Sequence, residues 1–252
     1  MDDFKSKFRP TCETAVAQAS LLAANDSNFF VPDLTEIWEF CRDNPRLGVI
    51  AKVGKGFDYR SLADPRFPEG AVTESSRRRK SFVPGFARMR KSLLTHECPD
   101  TVWLNLDSQV ISNDRLGKTT GVPQVLLNYA RVSRGPWRLK AFLDKQGHPF
   151  TSRFLAVRPP DDGCTLEFLW ALLNSPLANA YSYAFSEKRD ILAGVVKMLP
   201  LPRLENVDKS PLIQAVRSYF KAARTLRDGE TDAAKQENLR VLHWRIDAEV
   251  LL

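Results

Sequence analysis

Apolar and polar positions follow three successive regimes along this chain. Residues 11–24 are Ala-rich, and residues 33–41 follow Pro32 with Asp33 and Glu36 at capping-box spacing, so both stretches predict helix. Asn44-Pro45 ends the second. From 47 to about 160 the apolar residues fall instead in short runs punctuated by Gly and Pro: 47–53, 81–86, 102–106, 124–129, 137–143 and 153–157. Runs of that length predict strands. Gly54-Lys55-Gly56 reads as a turn leaving the first of them rather than as a phosphate loop, since neither glycine-rich nucleotide motif is present.

Thr165 is placed to cap a helix over 166–174 that is apolar nearly all round, and Ser175-Pro176 starts another turn through Tyr183. Such a helix is expected to be buried. Residues 194–199 predict a closing strand, and Pro200-Leu201-Pro202 an extended exit. Beyond it, Ser210 and Pro211 open a helix with Leu212, Val216, Tyr219 or Phe220, Ala223 and Leu226 at helical spacing, broken at Asp228-Gly229. A last stripe of Leu239, Leu242, Ile246 and Val250 is still running at Leu252, so a truncated piece of a longer reading frame is expected. The expected class is α+β, with an N-terminal helical segment (1–46), a mixed domain of short strands and a buried helix (47–204) and a C-terminal helical hairpin (205–252).

Length and composition narrow the function classes. With 252 residues, 43% of them hydrophobic, the chain can bury a core, which excludes disorder and disulfide dependence. No apolar run approaches the roughly 18 residues of a membrane span, and Met1-Asp2-Asp3-Phe4-Lys5 is no signal peptide, so a cytoplasmic protein without a membrane partner is expected. Cys12, Cys41, Cys98 and Cys164 form no CxxC pair and are read as reduced structural thiols, with no metal site.

Charge changes the picture more. The chain carries 37 Lys plus Arg against 30 Asp plus Glu, a formal +7. Seven cations and no acid lie between Arg77 and Lys91, and six more with no acid lie between Arg115 and Leu143, so the remaining 208 residues sum to −6. In these two stretches Arg outnumbers Lys nine to four, which favours bidentate contact over simple charge. Lys and Arg neutralise phosphates with counterion release, and the Arg fork also matches guanine O6 and N7. The candidate nucleic-acid-binding residues are Arg77, Arg78, Arg79, Lys80, Arg88, Arg131, Arg134, Arg138 and Lys140, with Arg134 and Arg138 as base readers beside the turn Ser133-Arg134-Gly135-Pro136. Phe82, Phe86 and Trp137, interleaved among them, are assigned to the core.

No catalytic site is expected. Pro32-Asp33, Pro99-Asp100 and Pro160-Asp161 are followed by no acid with Lys two positions on, as an acidic restriction nuclease would need. His96-Glu97-Cys98 reads as an exposed loop, because adjacent side chains diverge. Gly-x-Ser-x-Gly is absent.

One set of motifs has a family likeness. Phe168-Leu169-Trp170-Ala171-Leu172-Leu173-Asn174-Ser175-Pro176-Leu177-Ala178-Asn179-Ala180 followed by Val195-Val196-Lys197-Met198-Leu199-Pro200-Leu201-Pro202 resembles the end of the target recognition domain in adenine-N6 DNA methyltransferases and in specificity subunits of restriction–modification systems. Pro123-Gln124-Val125-Leu126-Leu127-Asn128-Tyr129-Ala130-Arg131 with Ser133-Arg134-Gly135-Pro136-Trp137-Arg138, and the tail Ile246-Asp247-Ala248-Glu249-Val250, are similar to other parts of the same family. The likeness covers about 47–252. It implies a mixed α+β target-recognition domain that reads a short sequence in double-stranded DNA. Methyl transfer from S-adenosylmethionine would belong to a separate catalytic domain, in cis or in trans, to which base flipping delivers the adenine. The chain itself lacks the family's catalytic signature: Asn44-Pro45-Arg46-Leu47 has neither the second proline nor the aromatic, and Pro159-Pro160 is flanked by Arg158 and Asp161. No cofactor is expected in this chain. The alternatives are a helical protein-interaction module without DNA binding and an enzyme with an unrecognised site.

Overall fold

Apolar runs without polar alternation need cover on both faces, and three of the runs are used in that way. The computed structural model describes residues 34–60, 72–73, 81–89, 97–132, 137–159, 164–186, 190–202, 208–224 and 233–251. In chain order the described elements are α1 (Thr35–Phe40), α2 (Leu47–Ile50), β1 (Lys52–Lys55), β2 (Asp58–Tyr59), β3 (Val72–Thr73), β4 (Phe82–Gly85), β5 (Val102–Asn105) and β6 (Ile111–Asn113). They continue with β7 (Gln124–Asn128), β8 (Ala141–Asp144), β9 (Phe154–Arg158), α3 (Leu166–Asn174), α4 (Pro176–Phe185), α5 (Ala193–Lys197), α6 (Ser210–Ala223) and α7 (Ala233–Leu251). Contacts divide the chain into two units, Met1–Phe40, which contains α1, and Cys41–Leu252, which contains the rest. The helix expected over 11–24, the break at Asp228-Gly229 and His96 lie outside the described residues.

In the larger unit a four-stranded antiparallel sheet runs in the order β1-β9-β7-β8. Every residue of β7, β8 and β9 is buried. One face carries Leu126, Phe142, Phe154 and Ala156 into a cluster with Phe86, Leu116 and Phe150, in which Phe86 and Phe142 meet edge to face at 5.5 Å. Alternation turns Val125, Leu127, Ala141, Leu155 and Val157 to the opposite face, where α3 packs on β7 and β8 and α5 on β1. A three-stranded sheet, β3-β5-β4, and the two-stranded β2–β6 ribbon enclose a smaller core of Phe57, Leu104, Val110 and Ile111. Pro84 sits in β4, an edge strand paired only with β5, where its missing N–H costs no ladder bond.

Thr165 caps α3 as expected, its hydroxyl accepting from the Phe168 N–H at 3.2 Å, and Ser175 caps α4 by accepting from the Ala178 N–H at 3.2 Å. α3 is covered on its far side by the C-terminal pair: Trp170, fully buried, meets Tyr219 of α6 at 5.4 Å and His243 of α7 at 6.4 Å between ring centroids. The architecture is thus α+β with a C-terminal helix pair.

Three expectations are corrected. Residues 194–199, expected as a strand, form the short helix α5 and a turn, with Met198 donating back to the Gly194 and Val195 carbonyls. The run 47–53 divides into α2 and β1 at Ala51, so Gly54 lies inside a strand and is not a turn residue. A Cβ there would stand 2.7 Å from the Leu116 side chain, so the glycine makes room for the core leucine opposite. The run 137–143 becomes strand only at Ala141. The proline exit is extended, and it pairs: the Leu47 N–H donates to Leu199 O, the Leu201 N–H to Pro45 O, and the Asn44 amide to Leu201 O, with Leu199 and Leu201 buried.

Candidate nucleic-acid interface

The antiparallel register brings the C-terminal ends of β1 and β7 and the N-terminal ends of β8 and β9 to one end of the sheet. Lys55 ends β1 and lies opposite Leu155, Tyr129 follows β7, and Arg153 precedes β9 with its carbonyl accepting from the Tyr129 N–H. The Lys55 Nζ stands 4.4 Å from the Tyr129 ring centroid, a cation–π contact. Arg115 reaches the same place from the loop after β6, so Lys55, Arg115, Tyr129 and Asn113 share a recess of about 250 Å³. Arg115 and Arg153 are exposed, and Arg131 is half-buried two residues beyond Tyr129. Arg88 is exposed and follows Ala87, whose carbonyl accepts from the Thr151 hydroxyl at 2.7 Å beside the turn that carries Arg153. Among the described residues the acids nearby are Asp58, 3.8 Å from Lys55 in a partly exposed pair, Asp114, whose carboxylate accepts from the Lys118 N–H, and Asp190, whose backbone bridges Ala130. An exposed pair of that length is worth little and leaves the surface cationic.

What holds residues 129–132 and 137–141 is a set of amides. Asn179 accepts from the Arg138 and Leu139 N–H groups, both at 2.8 Å, and Asn128 accepts from the Lys140 N–H and donates to the Ala130 and Arg138 carbonyls. Asn174 meets both backbone groups of Ala141, accepting from its N–H and donating to its C=O at 3.0 Å each, as a neighbouring strand would. The asparagines of the Leu-Leu-Asn-Ser-Pro stretch therefore dock the helix pair onto the edge of the sheet and fix the base of the cationic loop.

Of the residues expected to bind nucleic acid, Arg77, Arg78, Arg79, Lys80 and Arg134 lie outside the described residues. Arg138, expected to reach a base edge, is instead turned inward. It is 7% exposed, its Nη1 donates to Ser186 O at 2.7 Å, and its guanidinium lies over Tyr183 at 4.5 Å. Burial, and then repulsion from Arg131, lower its pKa. It braces the loop. Lys140 is half-buried, its pKa lowered by burial against the opposing attraction of Glu97. Phe82 and Phe86 are core, whereas Trp137, also assigned to the core, is 44% exposed. Lys55, Arg153 and Asn113 were not singled out from sequence, because only strand register joins positions so far apart.

Gly54, Gly56 and Asn44 are not arranged to hold a methyl donor. A Cβ on Gly56 would collide with the carbonyls of Phe150 and Thr151, so Gly54 and Gly56 are packed against this chain's own atoms and cradle nothing. The Asn44 amide is spent on Leu201 O. Among the described residues no three His, Cys, Asp or Glu side chains gather as metal ligands, and no helix is long and apolar enough to cross a membrane.

The mixed α+β fold is of a kind found within a restriction–modification enzyme. The type IIL restriction–modification enzyme MmeI, solved in complex with DNA, matches with a TM-score of 0.51 and 11% identity over 83% of this chain and 33% of its own. The HsdS subunit from Thermoanaerobacter tengcongensis matches at 0.41 and 14% over 81% and 44%, and the type IIG restriction endonuclease BpuSI at 0.45 and 11% over 86% and 33%. This chain spans a third to under half the length of these proteins, and at such identities the likeness to MmeI is one of fold. No family model and no curated protein matches the sequence.

Proposed function

We propose that this chain is the sequence-specific DNA-binding part of a restriction–modification adenine-N6 DNA methyltransferase. A catalytic domain, in cis or in trans, would hold S-adenosylmethionine and carry the methyl transfer in the cytoplasm. The observation that carries the reading is the gathering at one end of the sheet of Lys55 and Arg115, which share a recess with Tyr129, and of Arg153 and Arg131, which stand next to Tyr129 along the backbone. Lys55, Arg131 and Arg153 beside an aromatic suit the phosphates of a duplex, which fix register while other groups read sequence. The test is fluorescence anisotropy with a mixed-sequence DNA duplex over a salt series. Three phosphate contacts, from Lys55, Arg131 and Arg153, give a slope of log affinity against log salt of about −2.7. No binding at low salt would sink the reading.

The alternative of a protein-interaction module has its own observation: Val241 and Trp244 on α7 are 50% and 57% exposed, with Arg240 stacked on the Trp244 ring at 4.8 Å. If that face accounts for the whole function, binding to a partner is insensitive to salt and DNA binding is absent.

A further inference from the structure

Beside the phosphate-facing cations stands an element of a different character. β2 and β6 form a two-stranded antiparallel ribbon pairing Asp58 with Asn113 and Tyr59 with Ile111, with a bulge between them at which Ser112 is the extra residue. The Ser112 hydroxyl donates to the Asp58 carbonyl at 3.1 Å and ties the bulge down. Bulges of this kind re-aim side chains. Past it, Asn113 and Arg115 both line the recess, while the intervening Asp114 carboxylate is engaged with the Lys118 N–H at 3.1 Å.

We propose that this ribbon is the base-reading element of the surface, with the Arg115 guanidinium and the Asn113 amide touching base edges in the major groove of double-stranded DNA. The inference rests on the DNA-binding reading above. A two-stranded ribbon is one of the shapes that the major groove admits, and Arg and Asn are the side chains whose paired groups match guanine O6/N7 and adenine N6/N7. Both side chains are exposed, and neither has a hydrogen-bond or ion-pair partner in another described residue. Their backbone is nonetheless held at both ends: by the ribbon on one side, and on the other by buried Leu116, whose N–H donates to Lys55 O at 3.2 Å. Gly117 packs with no room for a Cβ against Phe150 and Phe57. Free polar groups on a fixed backbone are what specific readout requires, since a loop that reorders on binding loses part of its discrimination to entropy. The recess, at about 250 Å³, is smaller than the roughly 300–1,000 Å³ of ordinary small-molecule sites, so it receives one group of a larger partner.

The experiment selects bound sequences from a duplex library with a randomised core, using the full 252-residue chain and its Arg115→Ala, Asn113→Ala and Arg115→Lys variants. Each Ala variant is expected to lose preference at one position by about 5- to 150-fold while still binding mixed-sequence duplex. Arg115→Lys is expected to keep mixed-sequence affinity and lose the same preference, because the charge survives and the fork does not. Thermal unfolding midpoints should be unchanged, and Arg115→Lys provides the readout if the Ala variant unfolds. Variants that select the same sequence as the unaltered chain overturn this assignment and leave DNA binding standing, as does an unaltered chain that binds duplex with no sequence preference. An unaltered chain that retains no duplex overturns both.

Discussion

The Asn174 side chain serves a buried donor and a buried acceptor of Ala141 at once, so Asn174→Ala would orphan both inside the fold. Each orphan costs about 1–3 kcal/mol, and urea unfolding should show a loss of at least that size. A loss of a few tenths would mean that water replaces the amide. Cys164 makes a second single-residue case. Burial pushes its thiol up from about 9 to about 11, against the pull of Lys209. A folded pKa above the unfolded one favours the protonated form in the native state. Its contribution is therefore intact below about pH 9 and lost as the pH rises through about 11. Unfolding midpoints measured across that window should fall, and Cys164→Ala should flatten part of the fall. The thiol should also alkylate more slowly at pH 8 than that of exposed Cys98, and equal rates would contradict its half-buried setting and raised pKa.

Which elements could be read from sequence depended on length and cover. β7, β8 and β9 were legible in outline because both of their faces are buried, which leaves uninterrupted apolar runs. α3 and α4 were legible because Thr165 and Ser175 cap them and nine and ten residues are enough to show a helix. α5 was not: five residues contain little more than one turn, and Val195-Val196 has strand propensity that packing on α2 and β1 overrides. β2, β3 and β6 have two or three residues each, too few for any alternation to register. The base-reading ribbon is among them. The asparagines of the family-like stretch were visible as a motif, yet their role as a surrogate strand edge needed Ala141 and Arg138 in place.

At the scale of the whole molecule, uneven charge and strand register point to the proposed partner through partly different side chains. Lys55 and Arg153 lie outside both acid-free stretches and yet stand at the sheet end, whereas Arg138 and Lys140 lie inside one and are drawn into the fold. Sequence clustering reports where cations are dense; register decides which of them face outward together. The two groups should therefore separate experimentally. Replacing both Lys55 and Arg153 by Ala removes two phosphate contacts, so the salt slope should shrink by about 2 and affinity should fall by a similar factor on every duplex sequence. Arg138→Ala should instead lower the unfolding midpoint, since the Ser186 carbonyl and the Tyr183 ring both lose their partner, while leaving the salt slope of the folded protein close to the original. If Arg138→Ala cuts the slope by 1 with an unchanged unfolding midpoint, its guanidinium turns outward on DNA and the loop is held by its asparagines alone.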